Sequence, residues 1–219
     1  MRILGISSAT KVISLGLIND GQLLVETTLA DCRSERIAFY IKEAGILPEQ
    51  IEGIAVAIGP GSYSGLRGGL ATAKTMAQSL NVSLVGVPTL DAIAYNLADI
   101  EGTMAVILDA KMDEYNFALF GASQGQIKRL TEDLALKEDH LIDKLDKISG
   151  RLWLIGKTDK LKLRLNKENF SFAEEIHSHP YGVNVARLGL LKIAAGQIDD
   201  PLRLIPHYLH QPNIIEYKR

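Results

Sequence analysis

The sequence predicts an α/β fold, in which strands alternate with helices along the chain. The apolar, largely β-branched run at 53–58 is typical of a strand buried on both faces of a sheet. From Leu66 onward, apolar residues recur every three or four positions, which predicts a helix directly after that strand. A further apolar run at 104–108 begins the same pattern again. We therefore predict two related halves, the second a reduced copy of the first.

The first half is predicted to alternate short strands with three helices. Its predicted elements are, in order, strands at 3–6, 12–18 and 22–28, a helix at 33–44, a strand at 53–58, a helix from Leu66 to about Leu80, a strand at 84–87 and a helix from Thr89 to about Leu97. The Asp20-Gly21 pair between two alternating runs is typical of a hairpin turn. Gly45 lies where a helix would end, and Thr89 lies where one would be capped.

The second half gives a weaker pattern. Its predicted elements are strands at 104–108, 115–120 and 153–155 and a helix at 182–195. The polar stretch at 124–169 predicts a reduced, partly irregular region, and the prolines from Pro201 onward predict an extended tail. We place the division between two subdomains at residue 100, with residues 1–100 in one and 101–219 in the other.

Composition describes an ordinary globular chain and excludes several classes. The 219 residues are 47% hydrophobic, enough for one large or two small domains, and the net charge of −2 gives no general attraction to polyanions. Any RNA contact would therefore have to be local or supplied by a partner. A single cysteine, Cys32, excludes an intrachain disulfide, and no apolar run approaches a membrane-spanning length. We expect a cytoplasmic protein.

A glycine-dense segment at 59–69 joins the buried strand to the long helix. Gly65, Gly69 and Ala73 recur at every fourth position, and glycine inside a helix costs about 1 kcal/mol relative to alanine. Close packing against another helix would explain this stripe, and we favour that interpretation. An anion held at the helix N-terminus is the alternative. The sequence does not match the Walker, dinucleotide-binding or nucleophile-elbow motifs.

Few residues outside this segment suggest chemistry. Histidines at 140, 177, 179, 207 and 210 lack the spacing of a zinc set, so we interpret them as structural or surface residues. Asp109 directly follows a buried strand, where ligands bind in α/β sheets, although an aspartate there equally often caps a turn. Both interpretations of Asp109 remain open.

Several motifs together resemble one family of proteins. They are Met1-Arg2-Ile3-Leu4, the Asn19-Asp20-Gly21 turn, Ser34-Glu35-Arg36, Gly59-Pro60-Gly61-Ser62-Tyr63-Ser64-Gly65-Leu66-Arg67, Gly69-Leu70-Ala71-Thr72-Ala73-Lys74, Val85-Gly86-Val87, Asp109-Ala110 and Pro206-His207-Tyr208-Leu209. They resemble the TsaB family, formerly described as glycoprotease-like. The match is dense up to about residue 120 and sparse beyond it.

The resemblance implies an actin-like, ribonuclease-H-like fold of two related subdomains, each with a mixed sheet and helices. It implies a non-catalytic subunit that dimerises with the catalytic threonylcarbamoyltransferase TsaD. That pair supports the formation of threonylcarbamoyladenosine beside the anticodon of tRNAs reading codons that begin with A. ATP and a divalent metal are then expected on TsaD, with no cofactor in this chain. A TsaE-like ATPase is a further expected partner, tRNA contact is expected to be indirect, and the isolated chain is compatible with either a monomer or a homodimer.

The resemblance also implies site residues. In this family the first two helices of the N-terminal subdomain contact TsaD. Carried onto this sequence, the implied interface comprises Arg33, Arg36, Tyr40, Ser62, Tyr63, Gly65, Leu66, Gly69, Thr72, Ala73 and Met76. The implied remnant of a nucleotide site comprises Ser7, Thr10 and Asp109. Ser7 stands where the family usually has an aspartate, and losing that carboxylate disfavours metal binding and ATP hydrolysis.

The alternative function is a glycoprotease-like peptidase or a small ATPase of the actin-like superfamily, and a carbohydrate or acetate kinase relative shares the same fold. A serine peptidase would need a base near Ser62 or Ser64, and no spacing in the sequence indicates one. The His-x-x-x-His metal pair of TsaD-like proteins is also missing. We therefore expect no catalytic residue and no metal site in this chain.

Overall fold

Two mixed β-sheets with helices on their faces form the protein, in a computed structural model that describes residues 1–111, 113–165 and 168–209. The strands of the first sheet are β1 (Arg2–Ser7), β2 (Val12–Asn19), β3 (Gln22–Ala30), β4 (Gly53–Gly59) and β5 (Ser83–Pro88). Their order is β3-β2-β1-β4-β5, with β1, β2 and β3 antiparallel and β1, β4 and β5 parallel. The predicted hairpin turn is confirmed, because Asp20 and Gly21 both have positive φ between β2 and β3.

Three helices of the first half pack on this sheet. They are α1 (Ile37–Glu43), which follows a single 3₁₀ turn at Ser34–Arg36, α2 (Tyr63–Leu80) and α3 (Thr89–Ala94). The apolar sides of α1 and α2 bury one face of the sheet, where Ile37 and Ala73 join the core formed by Leu4 and Ile6. On the other face lies α3, whose Ala92 joins a separate core.

The second sheet repeats the arrangement of the first. Its strands are β6 (Gly102–Lys111), β7 (Glu114–Ser123), β8 (Gln126–Arg129), β9 (Leu134–Lys137), β10 (Leu152–Gly156) and β11 (Phe170–Phe172). The order is β11-β10-β6-β7-β8, with β9 paired to β7. As in the first sheet, an antiparallel trio (β6, β7, β8) shares its first strand with a parallel trio (β6, β10, β11). The predicted relation between the two halves is confirmed by this topology.

The predicted strand at 153–155 is confirmed as β10, but the region at 124–169 contains more regular structure than the prediction of a partly irregular region. This stretch contains β8, β9 and β10 together with two helices, α4 (Glu138–Asp146) and α5 (Asp159–Lys162). In β8 and β9, half-buried residues alternate with exposed ones, so these short strands carry polar side chains on one face. Leu141 and Leu145 of α4 reach the core of the second sheet. The polar composition therefore reflects partly exposed strands and a surface helix.

The last helix, α6 (Gly182–Ala194), belongs to the second half in sequence but packs on the first sheet. Glycines permit the close approach: a Cβ added to Gly5 would lie 2.0 Å from the carbonyl oxygen of Gly182. A Cβ on Gly189 would lie 2.3 Å from Cβ of Ala55. The division at residue 100 separates the two sheets, and the subdomain boundaries themselves stay a prediction.

After α6, the chain forms a turn at 201–203 and continues without regular structure to Leu209. His210 and the rest of the predicted tail lie outside the described residues. No helix in the described part of the chain is long and apolar enough to cross a membrane.

Candidate functional site

The small-residue stripe of α2 faces the interior of its own chain. A Cβ on Gly65 would lie 2.0 Å from the carbonyl oxygen of Ser8, and a Cβ on Gly69 would lie 2.2 Å from Ser8 Oγ. Ser8 also donates a hydrogen bond from Oγ to the carbonyl oxygen of Gly65 at 2.8 Å. Gly68 approaches Ser34, whose Oγ would lie 2.5 Å from an added Cβ. The close contact predicted from the stripe exists, but the segment on the other side is the loop after β1.

The predicted interface stays a prediction, and its members differ in exposure. Four of them, Gly65, Leu66, Gly69 and Ala73, are buried in the core of the chain. Arg33, Arg36, Ser62 and Tyr63 are exposed, and Tyr40, Thr72 and Met76 are half-buried.

The exposed sides of α1 and α2 carry an arginine and an aromatic residue in contact. The Arg36 guanidinium carbon lies 4.6 Å from the ring centroid of Phe39 and 5.8 Å from that of Tyr40. Phe39 is 45% exposed, a large value for a phenylalanine side chain. We call the exposed and half-buried residues Arg33, Arg36, Phe39, Tyr40, Thr72 and Met76, on α1, on α2 and in the turn before α1, the α1–α2 surface. Sequence analysis missed Phe39, although its position between the inward residues Ile37 and Ile41 indicates an outward-facing aromatic residue.

A cleft of about 1100 Å³ opens between the two sheets. The first half contributes Thr10, Lys11 and the N-terminal turn of α2 at 62–64, where Ser62 Oγ accepts a hydrogen bond from the N–H of Gly65 at 3.4 Å. The second half contributes the ends of β6 and β7 and the loop after β10. In that loop a hydrogen bond of 2.8 Å joins Lys157 to Asp159, which raises the pKa of the lysine and lowers the pKa of the aspartate.

The three residues of the expected nucleotide remnant do not come together. Thr10 and Asp109 line the cleft from opposite halves. Ser7 is fully buried and is not among the lining residues, and its Oγ has no hydrogen-bond partner among the described residues. In the described part of the chain, no three His, Cys, Asp or Glu side chains are placed to hold a metal ion.

The last described residues cross the mouth of the cleft. Tyr208 stacks on Tyr63 with ring centroids 5.1 Å apart, and Arg67 Nε donates to the Tyr208 hydroxyl at 3.2 Å. The N–H of His207 donates to the carbonyl oxygen of Ile58 at 2.7 Å, and its Nε2 lies 3.5 Å from an oxygen of Asp133. This segment therefore contacts both halves of the protein.

The remaining candidates show no catalytic arrangement. The carbonyl oxygens of His177 and His179 accept hydrogen bonds from Asn96 Nδ2, at 2.6 and 2.8 Å, which is a structural role. Among the residues that the structure describes, no histidine forms a hydrogen bond with Ser62 or Ser64, as a serine peptidase would require.

Comparison with known proteins places the chain in a family. Residues 34–198 match the sequence model of the TsaD family, described as tRNA N6-adenosine threonylcarbamoyltransferase. The chain belongs to this family. Two curated relatives of the chain carry the name tRNA threonylcarbamoyladenosine biosynthesis protein TsaB. The Bacillus subtilis protein is 28% identical over 61% of the chain and 61% of its own length, and the Escherichia coli protein is 28% identical over 71% of each. The resemblance to TsaB is confirmed.

The fold of this family member is also found in a solved structure. A Pseudomonas aeruginosa protein, described as uncharacterised with similarity to the peptidase YeaZ, aligns with a TM-score of 0.79 at 19% identity. The alignment covers 95% of this chain and 99% of that one. With the repeated sheet topology, this likeness confirms the predicted actin-like α/β fold of two related halves. The sequence alignment of the chain covers about three fifths of the length of the Bacillus subtilis relative.

Proposed function

We propose that this chain is a non-catalytic subunit that pairs with a TsaD-like threonylcarbamoyltransferase and supports threonylcarbamoyladenosine formation in tRNA. Membership of the family and the TsaB names of two relatives support the reaction class. The observation that carries the partner role is the exposed contact between Arg36 and Phe39 on α1. Aromatic residues and arginine are enriched at protein interfaces and in their energetic hot spots.

The α1–α2 surface stands on a rigid support. Both helices bury their inner sides in one core, and α2 is fixed by the contact between Gly69 and Ser8. Arg36 is held over the rings of Phe39 and Tyr40 before any partner binds, so little side-chain entropy would be lost on association. Gly65, Leu66, Gly69 and Ala73 then act by positioning α2 rather than by touching the partner.

The other elements of the proposal follow from the partner role. ATP and a divalent metal belong on the catalytic subunit, a TsaE-like ATPase joins the complex, and the isolated chain pairs with itself through the α1–α2 surface. The net charge of −2 disfavours direct tRNA binding by this chain, so we assign that contact to the partner.

The test is complex formation with the TsaD protein of the same organism, measured by size-exclusion chromatography with light scattering and by titration. Phe39→Asp should weaken the complex about 30-fold or more, because it places a carboxylate at the centre of the contact. Leu191→Asp is the matched control, since Leu191 is 58% exposed on α6, on the opposite face of the first sheet. Equal effects of the two variants, or no complex with the unaltered chain, would contradict the proposal.

Activity provides the second test. Depletion of the chain in cells should lower the threonylcarbamoyladenosine content of tRNA, measured by mass spectrometry of digested nucleosides. The purified chain without the catalytic subunit should transfer no threonylcarbamoyl group. Modification by the chain alone would show that it is an enzyme.

A further inference from the structure

The two walls of the cleft differ in the groups they present. The wall from the first half offers the Lys11 side chain and the N-terminal turn of α2. No acceptor for the backbone N–H groups of Tyr63 and Ser64 is found among the described residues. The N-terminus of an 18-residue helix carries a partial positive charge, so this wall favours an anionic group.

The wall from the second half presents acceptors. Asn116 of β7 is 5% exposed, lines the cleft and has an Oδ1 without a hydrogen-bond partner in the described part of the chain. Its neighbours Tyr115 and Phe117 point into the core on the other face of the sheet, so strand alternation directs Asn116 toward the cleft. A buried oxygen left without a donor is costly, and a bound N–H or ammonium group would remove that cost. Asp109, Glu114, Asp159 and Glu175 line the same wall, where they outnumber the two lysines beside them, Lys157 and Lys162.

This polarity argues against a polyphosphate. The four cleft carboxylates all come from the second half and outnumber Lys157 and Lys162 on that wall, so they would repel the several negative charges of a polyphosphate. Apolar side chains, including Leu108 and Leu209, also line the cleft. The cleft therefore suits a ligand with an anion at one end, a cation at the other and an apolar middle.

We infer that the cleft binds a short peptide in its zwitterionic form. The peptide carboxylate lies at the N-terminal turn of α2 near Lys11, and its ammonium group donates to Asn116 Oδ1 and the neighbouring carboxylates. A free amino acid is small for a space of about 1100 Å³, whereas a peptide of a few residues fills much of it. Capture of peptide termini by backbone N–H groups is an established recognition mode. This inference does not depend on the proposed partner role.

The test is isothermal titration calorimetry of the full chain with trialanine. N-acetyl-trialanine lacks the ammonium group and trialanine amide lacks the carboxylate, so each should bind roughly tenfold more weakly or worse. Magnesium ATP is the counter-probe. Equal binding of the three peptides, tighter binding of ATP, or no heat with trialanine at about 10 mM would overturn the inference.

Two variants locate the site. Asn116→Leu removes the Oδ1 acceptor at a similar side-chain size and should abolish the preference for a free ammonium group. Lys11→Gln, at an exposed position in the cleft, should weaken trialanine binding. Lys128→Gln on β8 makes the same charge change outside the cleft and should leave trialanine binding unchanged. Thermal unfolding checks that each variant folds. If Asn116→Leu does not fold, the comparison of Lys11→Gln with Lys128→Gln tests the inference. Equal effects of Lys11→Gln and Lys128→Gln would overturn the inference.

Discussion

Ser8 Oγ occupies the space into which a side chain at Gly69 would project: a Cβ added there would lie 2.2 Å from that oxygen. Ser8 cannot simply turn away, because its Oγ donates a hydrogen bond to the carbonyl oxygen of Gly65. The loop after β1 thus packs directly against the first turns of α2, with no room for a larger side chain between them. Substitutions at Gly69 consequently report on folding of the chain before they report on any partner.

Gly69→Ala should lower the free energy of unfolding by about 1–3 kcal/mol, the usual cost of overpacking, even though alanine is the better helix former. Chemical denaturation measures the change. Ala71→Ser, on the exposed side of the same helix, is the control and should be nearly neutral. In a Ser8→Gly background the alanine should cost less, because the obstructing oxygen is gone. An undiminished cost in that background would contradict this account.

The Gly65, Gly69 and Ala73 stripe shows what local sequence can and cannot predict. Four-residue spacing of small residues correctly predicts that something packs closely on that side of α2. It does not identify the opposing segment, because Ser8 lies far away in sequence and reaches α2 only through the pairing of β1 with β4. A contact fixed by sheet topology is invisible to helical periodicity.

Thr89 serves a different purpose from the predicted helix cap. Pro88 is the N-cap of α3, and the Thr89 Oγ1 instead accepts a buried hydrogen bond of 3.1 Å from the N–H of Gly59. Thr89→Val keeps the shape and removes the acceptor, so it should cost about 1–3 kcal/mol by leaving a buried N–H unsatisfied. Thermal or urea unfolding measures this. Thr89→Ser retains the hydroxyl and should recover most of the loss; a serine variant as unstable as the valine variant would show that packing dominates.

Glu26 connects β3 to the start of α6 and makes stability depend on pH. Its carboxylate accepts hydrogen bonds from the N–H groups of Val183, at 2.7 Å, and Gly182, at 3.1 Å, and from the Ser14 hydroxyl. Burial nevertheless raises the pKa of Glu26 above its ordinary value of 4.5, outweighing these hydrogen bonds. The folded chain therefore binds this proton more tightly than the unfolded chain. Its contribution to stability is fully present below pH 4.5 and is lost as the pH rises through the raised pKa.

The comparison with Glu26→Gln isolates this effect, because glutamine does not titrate. The difference in free energy of unfolding, unaltered chain minus variant, should decrease as the pH rises from about 4 to about 7. Urea unfolding at a series of pH values measures it. A difference that grows with pH would mean that the hydrogen bonds from α6 outweigh burial.

The cleft was predicted less completely than the fold. The position of Asp109 directly after a predicted strand indicates a ligand edge, whereas Thr10 is implied only by the resemblance to TsaB; both line the cleft. Asn116 gave no signal, since its importance depends on burial and on an unpaired Oδ1 rather than on a motif. Lys157 and Asp159 follow the predicted strand at 153–155, but their approach to the cleft depends on the parallel pairing of β10 with β6, which the local sequence does not indicate.

Arg129 joins the second sheet to α3. Its guanidinium pairs with both oxygens of Asp91 and, at 2.6 Å, with Asp133, while the Phe120 ring lies 4.9 Å away. Arg129→Ala leaves two poorly exposed carboxylates without their cation, and we expect a loss of about 1–3 kcal/mol. Arg129→Lys should recover only part of this, because an ammonium group cannot bind Asp91 through two nitrogens.

A double-mutant cycle with Asp91→Ala distinguishes this pairing from simple packing against Phe120. If the ion pair carries the stability, Arg129→Ala should cost clearly less in the Asp91→Ala background, because one of the stranded carboxylates is already gone. The cost should also shrink at high salt, though modestly, since the pair is three-quarters shielded from solvent on both sides. If Arg129→Ala lowers the free energy of unfolding equally in the two backgrounds, Arg129 acts by stacking on Phe120. The contact between α3 and β8 would then be stabilised by apolar side chains alone.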